Sequence, residues 1–254
     1  MLKQVCAVAL ALAACTSVAA QPKGATGMAR YAPDTVFMSD SQALSNFADA
    51  VALYHDNSTP YYYRTLVEQR RGFDVSRAFG RCAVKMSPSR ARDFLAGSGP
   101  YASANLRVER KYVTRLRGCA PAQLSVDRDF LRGAVAEHLI EADFPQALKS
   151  ARDEAEMIAF LKSVEFDHTD SGDQVSLVRL GYQCRVAAIP VLGRLILQSE
   201  PGSDEEAELL GVLEDRTVAC DPFFGDGDLS RFFARTFVSR ALYDWYLFKS
   251  LPTA

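Results

Sequence analysis

The apolar residues of this chain recur at helical spacing over most of its length. Leu131, Val135 and Leu139 are four residues apart, and this spacing places them on one face of a helix. The alternation of apolar and polar residues that is typical of a half-buried strand is almost absent, and Tyr61–Tyr63 is its one short candidate. The pattern therefore predicts an all-α protein.

The predicted helices occur in the same order twice. The first set is Val75–Met86, a short helix from Pro88 that stops at Gly97, a third helix from Ser103 and a fourth from Asp127. The second set is Val175–Ile189, Pro190–Gln198, a third helix opened by a capping box at Ser203–Glu206, and a fourth from Asp228 to about Phe248. We therefore predict two tandem four-helix repeats. The expected divisions are 1–20 signal peptide (or 1–14 if a lipoprotein), 21–73 leader and first helix, 74–142 repeat one, 143–173 linker and linking helix, and 174–250 repeat two.

Four cysteines mark the repeats. Cys82 and Cys119 are 37 positions apart, and Cys184 and Cys220 are 36 positions apart. An even number of cysteines in an exported chain indicates disulfides, and the repeat favours one bridge in each half, Cys82–Cys119 and Cys184–Cys220. Each bridge would close a loop worth about 4 kcal/mol of stability. The other two pairings and buried free thiols remain alternatives; zinc is disfavoured because no C-x2-C spacing occurs.

The same residues carry a resemblance. In both halves a cysteine precedes a proline that opens a helix (Pro88, Pro190), and a Cys-x-Pro step follows. Over about residues 74–248 this arrangement resembles a group of uncharacterised exported bacterial proteins. The shared motifs are structural, so the resemblance implies no activity and no functional residue.

The N-terminal segment predicts export. Lys3 precedes an apolar run from Val5 to Ala14, and Val18–Ala20 before Gln21 fits a small-residue cleavage site. The run is shorter than the roughly twenty residues that a membrane span needs. A second interpretation is a lipobox at 12–15, in which Cys15 becomes a lipidated first residue.

The charge is divided between the repeats although the net charge is −2. Residues 64–132 carry fifteen Lys and Arg against six acidic residues, a balance of +9. The balance reverses between Glu137 and Arg231, where a short stretch contains Glu200, Asp204, Glu205, Glu206 and Glu208. The basic segment with Arg107, Arg110 and Lys111 is a candidate face for an anionic partner. Its alternative is a solvated face that complements the acidic repeat.

Two further clusters contain residues able to do chemistry. Asp167, His168, Asp170 and Asp173 form a weak candidate metal site, with helix capping as the alternative. His138 lies on an apolar helical stripe, either as a pocket base or as a hydrogen-bonded residue between helices. Asp226 and Asp228 do not continue into a calcium loop, because Arg231 and Phe237 stand where that loop needs glycine and glutamate.

The last predicted helix is rich in aromatic residues. Phe237 and Trp245 belong to a set that surrounds more of the helix than one stripe. Such a helix is either central to its bundle or uses one face, including Phe237 and Trp245, to contact a partner.

These observations predict a non-catalytic, exported cell-envelope protein that acts through protein or surface contacts. No catalytic residue, metal or cofactor is expected, since nucleophile-elbow, zinc-protease, P-loop and dinucleotide motifs are absent from the sequence. The expected partner is an envelope protein or surface, not nucleic acid, with membrane attachment only through a lipid at Cys15. The expected location is periplasmic or secreted, or lipid-anchored in the envelope. The alternatives are a metal-dependent or hydrolytic enzyme using Asp167, His168, Asp170 or His138, and a periplasmic small-ligand carrier.

Overall fold

Helices are the only regular secondary structure in the described part of the chain. The computed structural model describes residues 65–96, 119, 128–143, 148–164, 174–224 and 229–250, and within these ranges no strand occurs. This confirms the predicted all-α class. The helices are α1 (Leu66–Met86), α2 (Pro88–Ala96), α3 (Arg128–Asp143), α4 (Glu154–Ser163), α5 (Gln174–Ala188), α6 (Pro190–Gln198), α7 (Asp204–Asp215) and α8 (Arg231–Ser250), with a 3₁₀ helix at Val218–Phe223 between α7 and α8.

Helix α1 begins at Leu66 and not at Val75 as predicted. The earlier start has a local cause, a capping box at Thr65. The Thr65 hydroxyl accepts a hydrogen bond from the Glu68 N–H at 3.3 Å, and the Glu68 carboxylate accepts one from the Thr65 N–H at 3.0 Å. Two backbone donors that would otherwise lack a helical partner are satisfied in this way.

Helices α3 and α8 form the centre of the molecule and pack against each other. Helix α1 packs on α3, and α5 packs on α8. The short helices α2 and α6 each cover one of these pairs, α7 lies on α6, and α4 contacts α5 and α8. The aromatic helix α8 is therefore buried on most sides, because it lies between α3, α5 and α6.

The crossing of α3 and α8 is close because Gly133 has no side chain. A Cβ atom at Gly133 would lie 2.6 Å from Thr236 Cγ2 and 3.0 Å from Thr236 Cα. Next to this contact the rings of Phe130 and Phe233 stack with centroids 4.3 Å apart. The position of the two central helices is thus fixed by backbone contact and by aromatic packing.

The two predicted disulfides are confirmed. Cys82 is bonded to Cys119 and Cys184 to Cys220, with Cα–Cα distances of 5.5 and 5.8 Å. The second bridge is fully buried, whereas both cysteines of the first are half-buried. Two bridges are compatible with an oxidising environment.

Within the described ranges, no single helix has both the length and the apolar character needed to cross a membrane. One bent pair, residues 177–188 followed by α6 at an angle of 104°, passes that test by length and composition.

Candidate functional site

The most distinctive feature of the interior is a buried arginine between two carboxylates. The Arg235 guanidinium on α8 donates to Glu137 on α3 and to Glu206 on α7, at 2.8 Å in each case. All three side chains are 1% exposed. A charge in such a place is tolerated only when it is paired and its remaining donors are bonded.

The remaining donors of Arg235 are used by the end of α6. The guanidinium donates to the carbonyl oxygens of Ile196 at 2.7 Å, Leu197 at 2.8 Å and Ser199 at 3.2 Å. These carbonyls lie at a helix C-terminus, where the helix dipole favours a cation. Burial lowers the pKa of Arg235, but its bonds to Glu137 and Glu206 outweigh that effect and raise it. Arg235 therefore remains charged and fastens α3, α6, α7 and α8 together.

Arg77 extends this cluster to the surface. Its guanidinium lies 2.9 Å from the same Glu137 oxygen that Arg235 contacts, so Glu137 accepts from two arginines. The Arg77 side chain is 22% exposed. A row of alternating charges, Arg77, Glu137, Arg235 and Glu206, therefore crosses the molecule from α1 to α7.

The capping box predicted at Ser203–Glu206 is only partly present. The Ser203 hydroxyl does accept from the Glu206 N–H at 3.1 Å, as a helix cap should. The Glu206 carboxylate, however, turns inward and accepts from the Gly202 N–H at 2.6 Å and from Arg235. The residue identified as a cap is thus a buried partner of Arg235.

A cleft of about 410 Å³ opens beside the cluster, between α1, α3 and the end of α6. Its charged lining includes Arg77 and Arg194 as cations and Glu137, Glu141 and Glu200 as anions. The other lining residues are Ile140, Leu197, Gln198, Ser199 and Pro201. Arg77 and Glu137 form an ion pair with each other, so these two charges already stabilise the fold.

His138 joins α1 to α3 and is buried. Its Nδ1 lies 2.8 Å from a Glu141 carboxylate oxygen, and its Nε2 lies 3.2 Å from the Arg77 carbonyl oxygen. The hydrogen bond from His138 lowers the pKa of Glu141, which burial opposes. The position matches the expectation of a hydrogen-bonded histidine between helices, and His138 is not part of the cleft lining.

The ion pairs between the two halves run opposite to the overall charge. Arg179 and Arg235 belong to the predicted repeat two (174–250), and they pair with Asp129 and Glu137 of the predicted repeat one (74–142). The expected complementarity of the halves therefore does not describe these contacts. The basic excess on α1 and the acidic excess on α7 are left at the surface.

Phe237 and Trp245, considered as part of an interaction face, are buried in the core. Phe237 packs against Phe233 and Tyr182, and the Trp245 indole N–H donates to the Lys149 carbonyl at 3.0 Å. The alternative, a central helix, accounts for both residues.

Several other sequence candidates lie outside the described residues: Cys15, Arg107, Arg110, Lys111, Asp167, His168, Asp170 and Asp173. Within the part of the chain that the structure describes, no group of three or more His, Cys, Asp and Glu could hold a metal ion.

Sequence reasoning missed the Arg235 cluster although a signal was present. Arg132 and Arg235 occupy the same place in the fourth helix of each predicted repeat, and both are buried. An arginine that recurs within an apolar stripe indicates an internal ion pair. The identity of its partners, Glu137 and Glu206, could not be read in this way because they come from different helices.

Comparisons with known proteins add no assignment to these features. No family model, curated protein or solved structure matches the chain. The function proposed below therefore depends on the contacts and charges of the described residues.

Proposed function

We propose that this chain is a non-catalytic exported protein of the cell envelope that acts through protein contacts. The observation that carries the proposal is the distribution of charge. The buried charges around Arg235 are bonded to one another within the fold. The exposed charges of α7 are all acidic, whereas α1 exposes four cations and two acidic residues, Glu68 and Asp74. Segregated surface charge is what electrostatic recognition of a partner requires.

We also propose that the chain contains two related four-helix repeats. Residues recur 102 positions apart in the first two helices and 103 positions apart in the last one. The identical pairs are Arg77/Arg179, Cys82/Cys184, Val84/Val186, Pro88/Pro190, Arg92/Arg194, Leu95/Leu197, Arg128/Arg231, Phe130/Phe233, Arg132/Arg235, Val135/Val238 and Leu139/Leu242. The packing supports the relation, since the contact of α1 with α3 has its counterpart in the contact of α5 with α8.

The centre of the fold supports an approximate two-fold relation between these repeats. Phe130 stacks on its own counterpart Phe233, and Gly133 touches its counterpart Thr236. Contact between equivalent residues is characteristic of an interface around a two-fold axis. A fused pair of this kind would bury its apolar faces internally and present its outer helices to partners.

Export is supported by the two disulfides and by the N-terminal sequence. The first test is the intact mass of the full chain recovered from cell envelopes, alkylated before and after reduction. A mature chain starting at Gln21, or at a lipidated Cys15, with four thiols labelled only after reduction supports the proposal. A chain that retains residues 1–20 with thiols labelled without reduction contradicts it.

The contact function is tested by site-specific cross-linking in envelopes. A photo-reactive residue at Arg81 on exposed α1 should give a discrete cross-linked product. The same residue at the exposed Lys162 on α4 is the matched control. Equal products from both sites, or none from Arg81, would contradict contact through α1.

The cleft beside Arg77 supports a second candidate function, the carriage of a small ligand with both positive and negative groups. Native mass spectrometry of the protein purified from envelopes tests it. A mass increment that disappears in Arg194→Met supports carriage. A spectrum with only the protein mass favours the contact function.

A further inference from the structure

We infer that the basic face of α1 in one molecule binds the acidic face of α7 in a second copy of this chain. The inference rests on the proposed contact function and names its partner. It would make the association head-to-tail, because the two faces differ.

The basic face of α1 consists of four exposed cations that lie on the solvent side of the helix, Arg70, Arg71, Arg81 and Lys85. Arg70 approaches Asp74 only to 3.9 Å, and both side chains are well exposed. Leu66 and Val67 extend the face at its N-terminal end and are 64% and 78% exposed. Exposed apolar side chains next to cations are typical of a contact surface.

The acidic face of α7 consists of Asp204, Glu205, Glu208 and Asp215, all exposed. Asp204, Glu208 and Asp215 follow one another at helical spacing on one side of α7. Four acidic side chains on α7 therefore face four cations on α1, where Asp74 is the one acidic residue on the same side.

Gly211 provides an independent observation. It lies between Glu208 and Asp215 on the same side of α7, and a Cβ atom there would meet nothing within 4 Å. Glycine in the middle of a helix is less stable than alanine, and no contact within the described chain requires it here. A second helix that packs closely on α7 would require it.

Each such contact neutralises the α1 face of one molecule and the α7 face of the next, so association along a row of copies neutralises both kinds of face. The ion pairs inside the molecule leave this excess charge outside, because Arg179 and Arg235 of the predicted repeat two pair with Asp129 and Glu137 of the predicted repeat one. An anionic membrane would engage only α1 and would repel α7. Since α3 and α8 separate α1 from α7, one molecule cannot close the contact on itself.

The test uses the mature chain in sedimentation velocity at about 20 mM and about 500 mM salt. We expect concentration-dependent association at low salt that weakens at least about tenfold at high salt. Two double variants should each be monomeric. The first is Arg81→Glu/Lys85→Glu on α1, and the second is Glu205→Lys/Glu208→Lys on α7. In an equal mixture, the acidic α1 of the first variant can bind the basic α7 of the second, and the basic α1 of the second can bind the acidic α7 of the first. The mixture should therefore associate again. The control Lys162→Glu should behave as the wild type.

Two results would overturn the inference: a wild type that is monomeric at low salt, or a mixture that does not associate. Vesicles that contain anionic phospholipid test the alternative partner, an anionic membrane. Wild-type binding to vesicles without self-association, lost in Arg81→Glu/Lys85→Glu, would assign the α1 face to lipid instead.

Gly211→Ala separates close packing from general charge attraction. We expect a higher melting temperature, because alanine favours the helix, together with weaker association. Unchanged association would overturn close packing on α7. A cross-link from Arg81 to a different protein would support the proposed contact function and would show that this inference is wrong.

Discussion

Arg235 on α8 and Glu137 on α3 form an ion pair at 2.8 Å in which each side chain is 1% exposed. Two charges removed from water to this degree lose much of their hydration, and their attraction repays that loss only with good geometry. Here the geometry includes Glu206 on α7 and the end of α6. The pair therefore fixes which faces of these helices meet.

Replacing Arg235 with Met should strongly destabilise the protein. The change leaves two carboxylates buried. Glu206 then has no arginine partner, and Glu137 keeps only Arg77. We expect a loss of about 3–5 kcal/mol in the free energy of unfolding, measured by urea denaturation. Arg216→Met, at an exposed arginine, is the matched control and should change it by less than about 0.5 kcal/mol. Similar values for both variants would show that the cluster is not a stabilising unit.

The two disulfides should be reduced in a defined order. Cys184 and Cys220 are fully buried, whereas Cys82 and Cys119 are half-buried. Thiol exchange needs access to a sulfur atom, so dithiothreitol should open Cys82–Cys119 first. Alkylation at timed intervals followed by peptide mass analysis measures the order. Simultaneous loss of both bridges would indicate that reduction follows global unfolding.

Gly133→Ala should destabilise the contact between α3 and α8. Alanine favours a helix, but its Cβ would overlap the Thr236 side chain and approach the Thr236 carbonyl oxygen to 2.8 Å. Separating two central helices should cost about 1–3 kcal/mol. Gly193→Ala is the control, since its Cβ would meet Val186 at an ordinary 3.5 Å. Calorimetry should show a lower melting temperature only for Gly133→Ala.

Stability should fall in acid partly through Glu156. Burial raises the pKa of this carboxyl, but bonds from Lys249 and the Arg152 N–H outweigh it, so the folded pKa lies below the unfolded one. Stability from a lowered pKa is present above the unfolded value and is lost as pH falls through the folded value.

The wild type should therefore exceed Glu156→Gln in stability at neutral pH. The difference should shrink as pH falls from about 4.5. Urea midpoints across that pH range measure it. Asp93→Asn, at an exposed position outside both proposed contact faces, serves as the control. A difference that is constant with pH would show that ionisation of Glu156 makes no contribution.

Part of the fold could be predicted because its causes are local. The proline at the start of α2 and α6, the Ser203 cap and the helical apolar stripes depend on neighbours within one turn. The disulfide pairing followed from the repeated spacing of the cysteines. The start of α1 was missed although Thr65 and Glu68 form a recognisable capping box.

The sequence by itself determined the helical class, the order of most helices and the cysteine pairs, because periodicity, caps and repeat spacing act along the chain. Only the tertiary structure decided that Glu206 turns inward to Arg235 and that Phe237 and Trp245 lie in the core. It also decided that four cations of α1 and the acidic residues of α7 other than Glu206 lie at the surface. These outcomes depend on which helices pack together, and the free energy of burying a side chain is set by neighbours that are distant in the chain.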